Sequence, residues 1–150
     1  NYIVQDGVIP RTALPRVMDE IARLSTKTGL RVANVFHAGD GNLHPLVLYD
    51  RSIPGQEKAA EELSYQILQI CIDAGGSITG EHGVGEEKKM MMSKMFAEPD
   101  LDTMQRVRCA FDPLNLSNPT KVFPRPRLCG DKPGEFQAHP LEIAGIAERF

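Results

Sequence analysis

An α+β fold of the order β-α-β-β-α-β, with two helices on one face of a ferredoxin-like antiparallel sheet, is what this sequence predicts over residues 1–85. Three observations carry it. Two stretches with apolar residues at helical spacing each end in glycine. Between them, two apolar runs flank Asp40-Gly41, a dipeptide suited to a tight hairpin turn. Short strand-like runs open and close the region. A small helical segment over 86–123 and an extended tail over 124–150 are expected to follow, and residues 1–85 read as part of a larger domain begun upstream.

Residues 2–9 form the first strand, ended by Pro10, which has no N–H to give to a ladder. Leu14, Val17, Met18, Ile21 and Leu24 recur on one helical face, and Gly29 supplies a C-terminal cap. The hairpin is expected over 31–38 and 43–49. With Asp40 and Gly41 as its two turn residues, Gly39 faces Asn42, Ala38 faces Leu43 and His37 faces His44. Directly opposed Cβ atoms lie about 4.5–5.5 Å apart, so the two imidazoles would converge on one face. Residues 50–55 read as a turn. Ala59, Leu63, Ile67, Ile70 and Ala74 mark the second helix, stopped by Gly75-Gly76, and Ser77-Ile78-Thr79 is the last short strand. Two further helices are predicted over roughly 86–96 and 101–111, with Pro99-Asp100 as break and N-cap. From Pro113 onward no period survives, and Pro124, Pro126, Gly130, Pro133 and Gly134 predict an extended tail.

Composition narrows the function classes. At 41% hydrophobic and 25% charged, 150 residues suffice for one compact domain or two small subdomains with a core. The net charge of -3, without a basic stripe, excludes a nucleic-acid footprint. Cys71, Cys109 and Cys129 are odd in number and lack CxxC spacing, so reduced packing thiols in a cytoplasmic protein are expected. No apolar run approaches the ~20 residues of a membrane span, and no signal-peptide pattern opens the chain, so a soluble protein is expected. Opening at Asn1 and running straight into a strand, the chain reads as a piece of a longer polypeptide.

The chemistry concentrates in two places. His37 and His44 flank the hairpin turn, and Glu81-His82 lies among Gly80, Gly83 and Gly85. Taken singly, each histidine is equally a partly buried residue satisfied by neighbours, and Glu81 a surface carboxylate at a helix entry. Taken together they offer a three-ligand metal site with a spare base. Adjacent side chains in extended backbone point to opposite sides, so one of Glu81 and His82 would ligate while the other faces a substrate, with His the better general base. Neither GxGxxG nor GxxxxGK[ST] nor HExxH occurs. Met90, Met91, Met92 and Met95 read as gap fillers between helices. Lys88-Lys89 reads as a solvated face, with Lys88 near enough to the glycine loop to meet an anion, and His139 is assigned no role. A metal-dependent enzyme, a free-standing zinc hydrolase among them, and a non-catalytic metal-binding or assembly module both remain open.

The runs His37-Ala38-Gly39-Asp40-Gly41-Asn42-Leu43-His44-Pro45 and Gly75-Gly76-Ser77-Ile78-Thr79-Gly80-Glu81-His82-Gly83-Val84-Gly85 resemble the C-terminal region of FAD-linked 2-hydroxyacid oxidases. So do Phe111-Asp112-Pro113 and Asn118-Pro119-Thr120-Lys121. The resemblance covers nearly all of the chain and weakens in the tail; its nearest branch is the flavin subunit of glycolate oxidases, with D-lactate and D-2-hydroxyglutarate dehydrogenases as relatives. It implies that His37, His44 and Glu81 hold a divalent ion, commonly zinc, and that His82 meets the substrate as base. It implies FAD, held mostly by an N-terminal domain of the same polypeptide, with Asn118 and Lys121 near the flavin and Thr120 replacing a family glycine. Oxidation of glycolate or D-lactate by hydride transfer to flavin follows, with the ion as Lewis acid and no turnover by this portion alone. Iron–sulfur and second flavin subunits are the implied partners, and membrane association would come through them. In the hydroxyglutarate enzymes an Asn stands where this chain has Leu46, two residues past the second metal histidine. Leu46 cannot hydrogen-bond a distal carboxylate, so small monocarboxylates are expected.

Overall fold

The computed structural model describes residues 1–124 and Cys129. Its elements are β1 (Tyr2–Val4), β2 (Gly7–Val8), α1 (Leu14–Thr28), β3 (Val32–His37), β4 (Asn42–Leu48), α2 (Gln56–Asp73), α3 (Met92–Met95) and α4 (Glu98–Phe111). The chain divides into two compact units, parted between Gly83 and Val84.

In the first unit the sheet is antiparallel throughout. β4 lies between β3 on one side and β1 and β2 on the other, and Ser77 bridges the outer edge of β2 at Val8. This is the ferredoxin-like α+β order, with the expected last strand reduced to one bridge. The chain bends there because the Ser77 hydroxyl turns onto its own backbone, donating to Thr79 O at 3.0 Å and accepting from Thr79 N. The opening strand is also interrupted, at Gln5-Asp6, yet the register runs on unshifted from Val4↔Leu46 to Gly7↔Leu43. Pro45 is the cause: Gln5 N–H donates to Pro45 O at 3.1 Å, and proline has no N–H to return.

The hairpin corrects the expected register. Its pairs are His37↔Asn42, Phe36↔Leu43 and Val35↔His44, so His44 is slid by two residues from the predicted place opposite His37. A two-residue turn of the predicted kind needs positive φ at both Asp40 and Gly41; Gly41 adopts +73°, Asp40 does not. The chain instead closes a four-residue loop in which His37 O accepts from Asp40 N (3.1 Å) and Gly41 N (3.0 Å).

Helices α1 and α2 cover one face of the sheet. Leu43 and Val47 of β4 join Ile9, Val17, Ile21, Leu30, Ala60, Leu63, Ile67 and Cys71 in a single core. Gly29, at φ +72°, ends α1 as predicted. Since strand side chains alternate, Asn42, His44 and Leu46 project from the opposite face, together with Val4, Val35 and His37.

The second unit opens with a 3₁₀ turn, Lys89–Met91, running into α3. The helix expected over 86–96 is therefore shorter, because Gly83 and Gly85 take left-handed φ of +80° and +57° and Lys88 N–H closes a turn onto Val84 O. Lys88 is buried rather than on a solvated face. Of the methionines, Met91 and Met92 are buried and Met90 is exposed. Pro99 does not break a helix: it lies in the first turn of α4, where no amide is required, and Asp100 accepts Ala97 N–H at 3.2 Å, so α4 starts three residues earlier than predicted. Cys109 and Cys129 form a disulfide with Cα atoms 5.3 Å apart, which corrects the expectation of reduced thiols. The chain folds back after α4, where Asp112 accepts Leu116 N and Ser117 N, and so brings a cysteine twenty residues on beside α4. Cys71 is free and buried. Among the described residues no helix is long and apolar enough to cross a membrane. The expected tail over 124–150, with Pro126, Gly130, Pro133, Gly134 and His139, lies outside the described residues except for Pro124 and Cys129.

Candidate metal centre

The site is assembled on the sheet face turned away from the helices. The slide of two residues keeps His37 and His44 on that face, because side chains alternate with a period of two. They meet diagonally, edge to face, with ring centroids 5.3 Å apart. His44 is 8% exposed, whereas the His37 side chain is 55% exposed at the rim.

The second half of the site is the bend after Ser77. Asp6, fully buried in the gap between β1 and β2, takes four donors on one oxygen: Thr79 Oγ1 (2.7 Å), Gly80 N (3.0 Å), Glu81 N (2.9 Å) and His82 N (2.7 Å) all reach Asp6 Oδ2. A Cβ on Gly80 would lie 2.7 Å from Val8 Cγ2 and 3.0 Å from Asn42 Nδ2, so only glycine lets the bend lie this close to β2 and β4. Three successive amides aimed at one point leave no room for extended backbone. Strand alternation therefore does not separate Glu81 from His82, and both side chains reach one cluster.

That cluster is Asp6, His44, Glu81 and His82, each offering a ligand atom within 4.8 Å of the others. The His82 ring stacks on that of His44 at 4.9 Å. Glu81 stands between two imidazoles, with Oε2 3.7 Å from His44 Nε2 and Oε1 3.8 Å from His37 Nε2. These contacts exceed a hydrogen bond. Ligands about 2.1 Å from a tetrahedral zinc stand roughly 3.4 Å apart, so nitrogen and oxygen donors at this spacing fit a shared divalent cation. Burial pushes the Asp6 carboxyl up, but the hydrogen bonds from Thr79, His82, Glu81 and Gly80 outweigh it and hold Asp6 well below the usual carboxylate range.

Leu46 lies two residues along β4 from His44, half-buried on the same face, with Val4 and Ala33 as its register partners. Asn118 and Lys121 belong to the second unit. The Asn118 residue is exposed and its carbonyl accepts from Arg108, while Lys121 Nζ donates to Glu86 Oε2 at 2.8 Å. A flavin contact from Lys121 would have to be exchanged for that carboxylate. Asp6 is the residue the sequence reading missed. The only signal was an acidic residue, Asp6, within the stretch 2–9 that reads as one strand.

Residues 1–122 match the model of the family described as FAD linked oxidases, C-terminal domain. The chain belongs to that family. All of Asp6, His37, His44, Glu81 and His82 fall within the matched FAD-linked oxidase domain. The chain is 51% identical over 131 residues to the glycolate oxidase subunit GlcD of Escherichia coli strain K12, covering 87% of this chain and 26% of that protein. It is 34% identical over 121 residues to a D-lactate dehydrogenase of Archaeoglobus fulgidus (79% and 26%) and 31% identical over 127 residues to the mitochondrial D-lactate dehydrogenase [cytochrome] of Arabidopsis thaliana (85% and 22%). The domain thus spans about a quarter of the length of the relatives it matches.

Proposed function

We propose that this chain is the C-terminal, substrate- and metal-binding portion of an FAD-dependent oxidoreductase that converts a small 2-hydroxy acid, glycolate or D-lactate, to the 2-oxo acid. The observation that carries the reading is the convergence of His44, Glu81 and His82 beside His37, in a chain of the FAD-linked oxidase C-terminal family. Similarity to GlcD and to D-lactate dehydrogenases supports the substrate class, and GlcD's name as a subunit supports partner subunits, which we take to be iron–sulfur and second flavin chains.

His37, His44 and Glu81 would hold a divalent ion, zinc by donor type. When bound, the ion supplies a Lewis acid for the substrate's carboxylate and α-hydroxyl. FAD, held mainly by an N-terminal domain of the longer polypeptide with Asn118 and Lys121 contributing, supplies the two-electron acceptor. His82 is stacked on His44 and so is fixed beside the place where the hydroxyl would sit; it takes the hydroxyl proton. Leu46, Val4 and Val35 give the same face an apolar wall, which suits the hydrogen of glycolate or the methyl of lactate and offers a second carboxylate no donor. A free-standing zinc hydrolase would use the same donor types, but the family favours redox chemistry.

The test is the visible spectrum of the full-length, metal-loaded polypeptide mixed anaerobically with glycolate or D-lactate. Bleaching of the oxidised flavin bands by either acid is expected; no bleaching by any small 2-hydroxy acid would overturn the reading.

A further inference from the structure

Asp6 is nearest to the site among the groups that the proposed reaction does not use. Its register position is opposite His44, bracketed by Val4↔Leu46 and Gly7↔Leu43, so its side chain rises beside the imidazole from the neighbouring strand. Oδ2 accepts the four donors of residues 79–82, and Thr79 Oγ1 in turn accepts Gly83 N at 2.8 Å, which closes the loop on both sides of Glu81 and His82. Oδ1 stands 3.8 Å from His44 Nδ1, while the other ring nitrogen, Nε2, faces Glu81. One carboxylate therefore hydrogen-bonds the backbone of Glu81 and His82 and stands within ion-pair distance, though beyond a hydrogen bond, of His44.

We propose that Asp6 is the positioning residue of the site: Oδ2 sets where Glu81 and His82 stand, and Oδ1 holds the His44 proton on Nδ1 so that the Nε2 lone pair points at Glu81. Asp6 is not itself a ligand in this account. Oδ2 already takes four hydrogen bonds, and Oδ1 faces His44 Nδ1 while Glu81 faces Nε2. Histidines that bind metals generally give their second N–H to such a carboxylate, and its loss typically weakens the metal 10–100-fold. A lone pair of His44 and a carboxylate of Glu81 held face to face repel unless a proton or a cation lies between them, and a divalent ion is the occupant the proposed site supplies.

This inference rests on the proposed metal site for its consequence, and the test separates the two. In the full-length protein labelled with ¹⁵N histidine and stripped of metal, the His44 ring should be the Nδ1–H tautomer, and Asp6→Asn should shift it toward a mixture. In the loaded protein, Asp6→Asn should lower zinc affinity about 10–100-fold in competition with a chromophoric chelator and change the visible bands of the cobalt-substituted site. If Asp6→Asn does not fold, Thr79→Val, which removes one donor to Oδ2, should weaken zinc several-fold and Thr79→Ser should restore it. A merely structural Asp6 would lower the melting temperature and leave tautomer, affinity and cobalt bands unchanged, which overturns the proposal. Wild-type protein that binds neither zinc nor cobalt would sink the metal reading; the tautomer measurement would still decide the role of Asp6, an Nε2–H ring overturning it.

Discussion

The backbone amide of His82 donates to Asp6 Oδ2 at 2.7 Å across 76 residues of sequence. A carboxylate in the gap between β1 and β2 thereby fixes the bend that carries the proposed base, and it does so on the sheet face that also carries both hairpin histidines. The proline that splits the strand contributes as well. Pro45 removes one ladder bond at Gln5, and Asp6 lies in the gap so opened, with its side chain committed to the loop.

The two histidines are not equivalent. His44 is buried and belongs to the four-residue cluster, while His37 reaches Glu81 from the exposed rim. His44→Ala should cost more zinc affinity than His37→Ala, about 100-fold or more against about 10-fold, read by chelator competition on the full-length protein. Equal losses would mean that the exposed rim position is as firmly held as the buried one.

Leu46→Asn should shift preference toward a dicarboxylate. A site that can pair a polar substrate group discriminates better than one that merely fits a methyl, so the change should appear as a gain for 2-hydroxyglutarate. The measurement is the ratio of kcat/KM for 2-hydroxyglutarate over glycolate in both full-length proteins, with a rise of about tenfold expected. An unchanged ratio would remove Leu46 from the pocket wall.

Much of the fold is legible in the sequence, and the reasons for the rest are physical. Helical periodicity and capping glycines located α1 and α2 because each buries one face against the sheet. The hairpin register departs from the one expected because Asp40 does not take the positive φ that a two-residue Asp-Gly turn needs, and the site face stays intact only because the slide is even. That Glu81 and His82 reach one cluster could not be read locally, since the bend is imposed by Asp6, far away in sequence. The Cys109–Cys129 disulfide likewise depends on a fold-back that no short cysteine spacing announces.

The thiols give a direct check. Denatured without reductant, the chain should show one reactive thiol; after reduction it should show three. Burial pushes the Cys71 thiol from 9.0 up to about 12. The folded state thus keeps its proton where the unfolded state loses it, so this group's stabilisation is full below about pH 9 and falls as pH rises from there toward 12. Iodoacetamide at pH 8.5–9.5 should leave Cys71 unmodified in the folded protein and label it in urea. Equal labelling rates would contradict its burial.

Gly76→Ala should destabilise the first unit. An added Cβ would lie 1.8 Å from Val8 O and 2.8 Å from Cys71 O, both backbone atoms, so the Val8–Ser77 bridge must open to admit it. A loss of about 3 kcal/mol is expected from urea midpoints, the upper range for overpacking. A change below about 0.5 kcal/mol would show that the bridge yields freely.

If His82 is the base of a flavin-linked oxidation, the rate of flavin reduction must depend on its imidazole. Full-length wild-type and His82→Ala proteins, both loaded with metal, would be mixed rapidly and anaerobically with glycolate or D-lactate. His82→Ala should slow flavin reduction by about 10²-fold or more with metal content largely retained, the scale of a positioned general base. Reduction at an unchanged rate in the loaded variant would contradict that role.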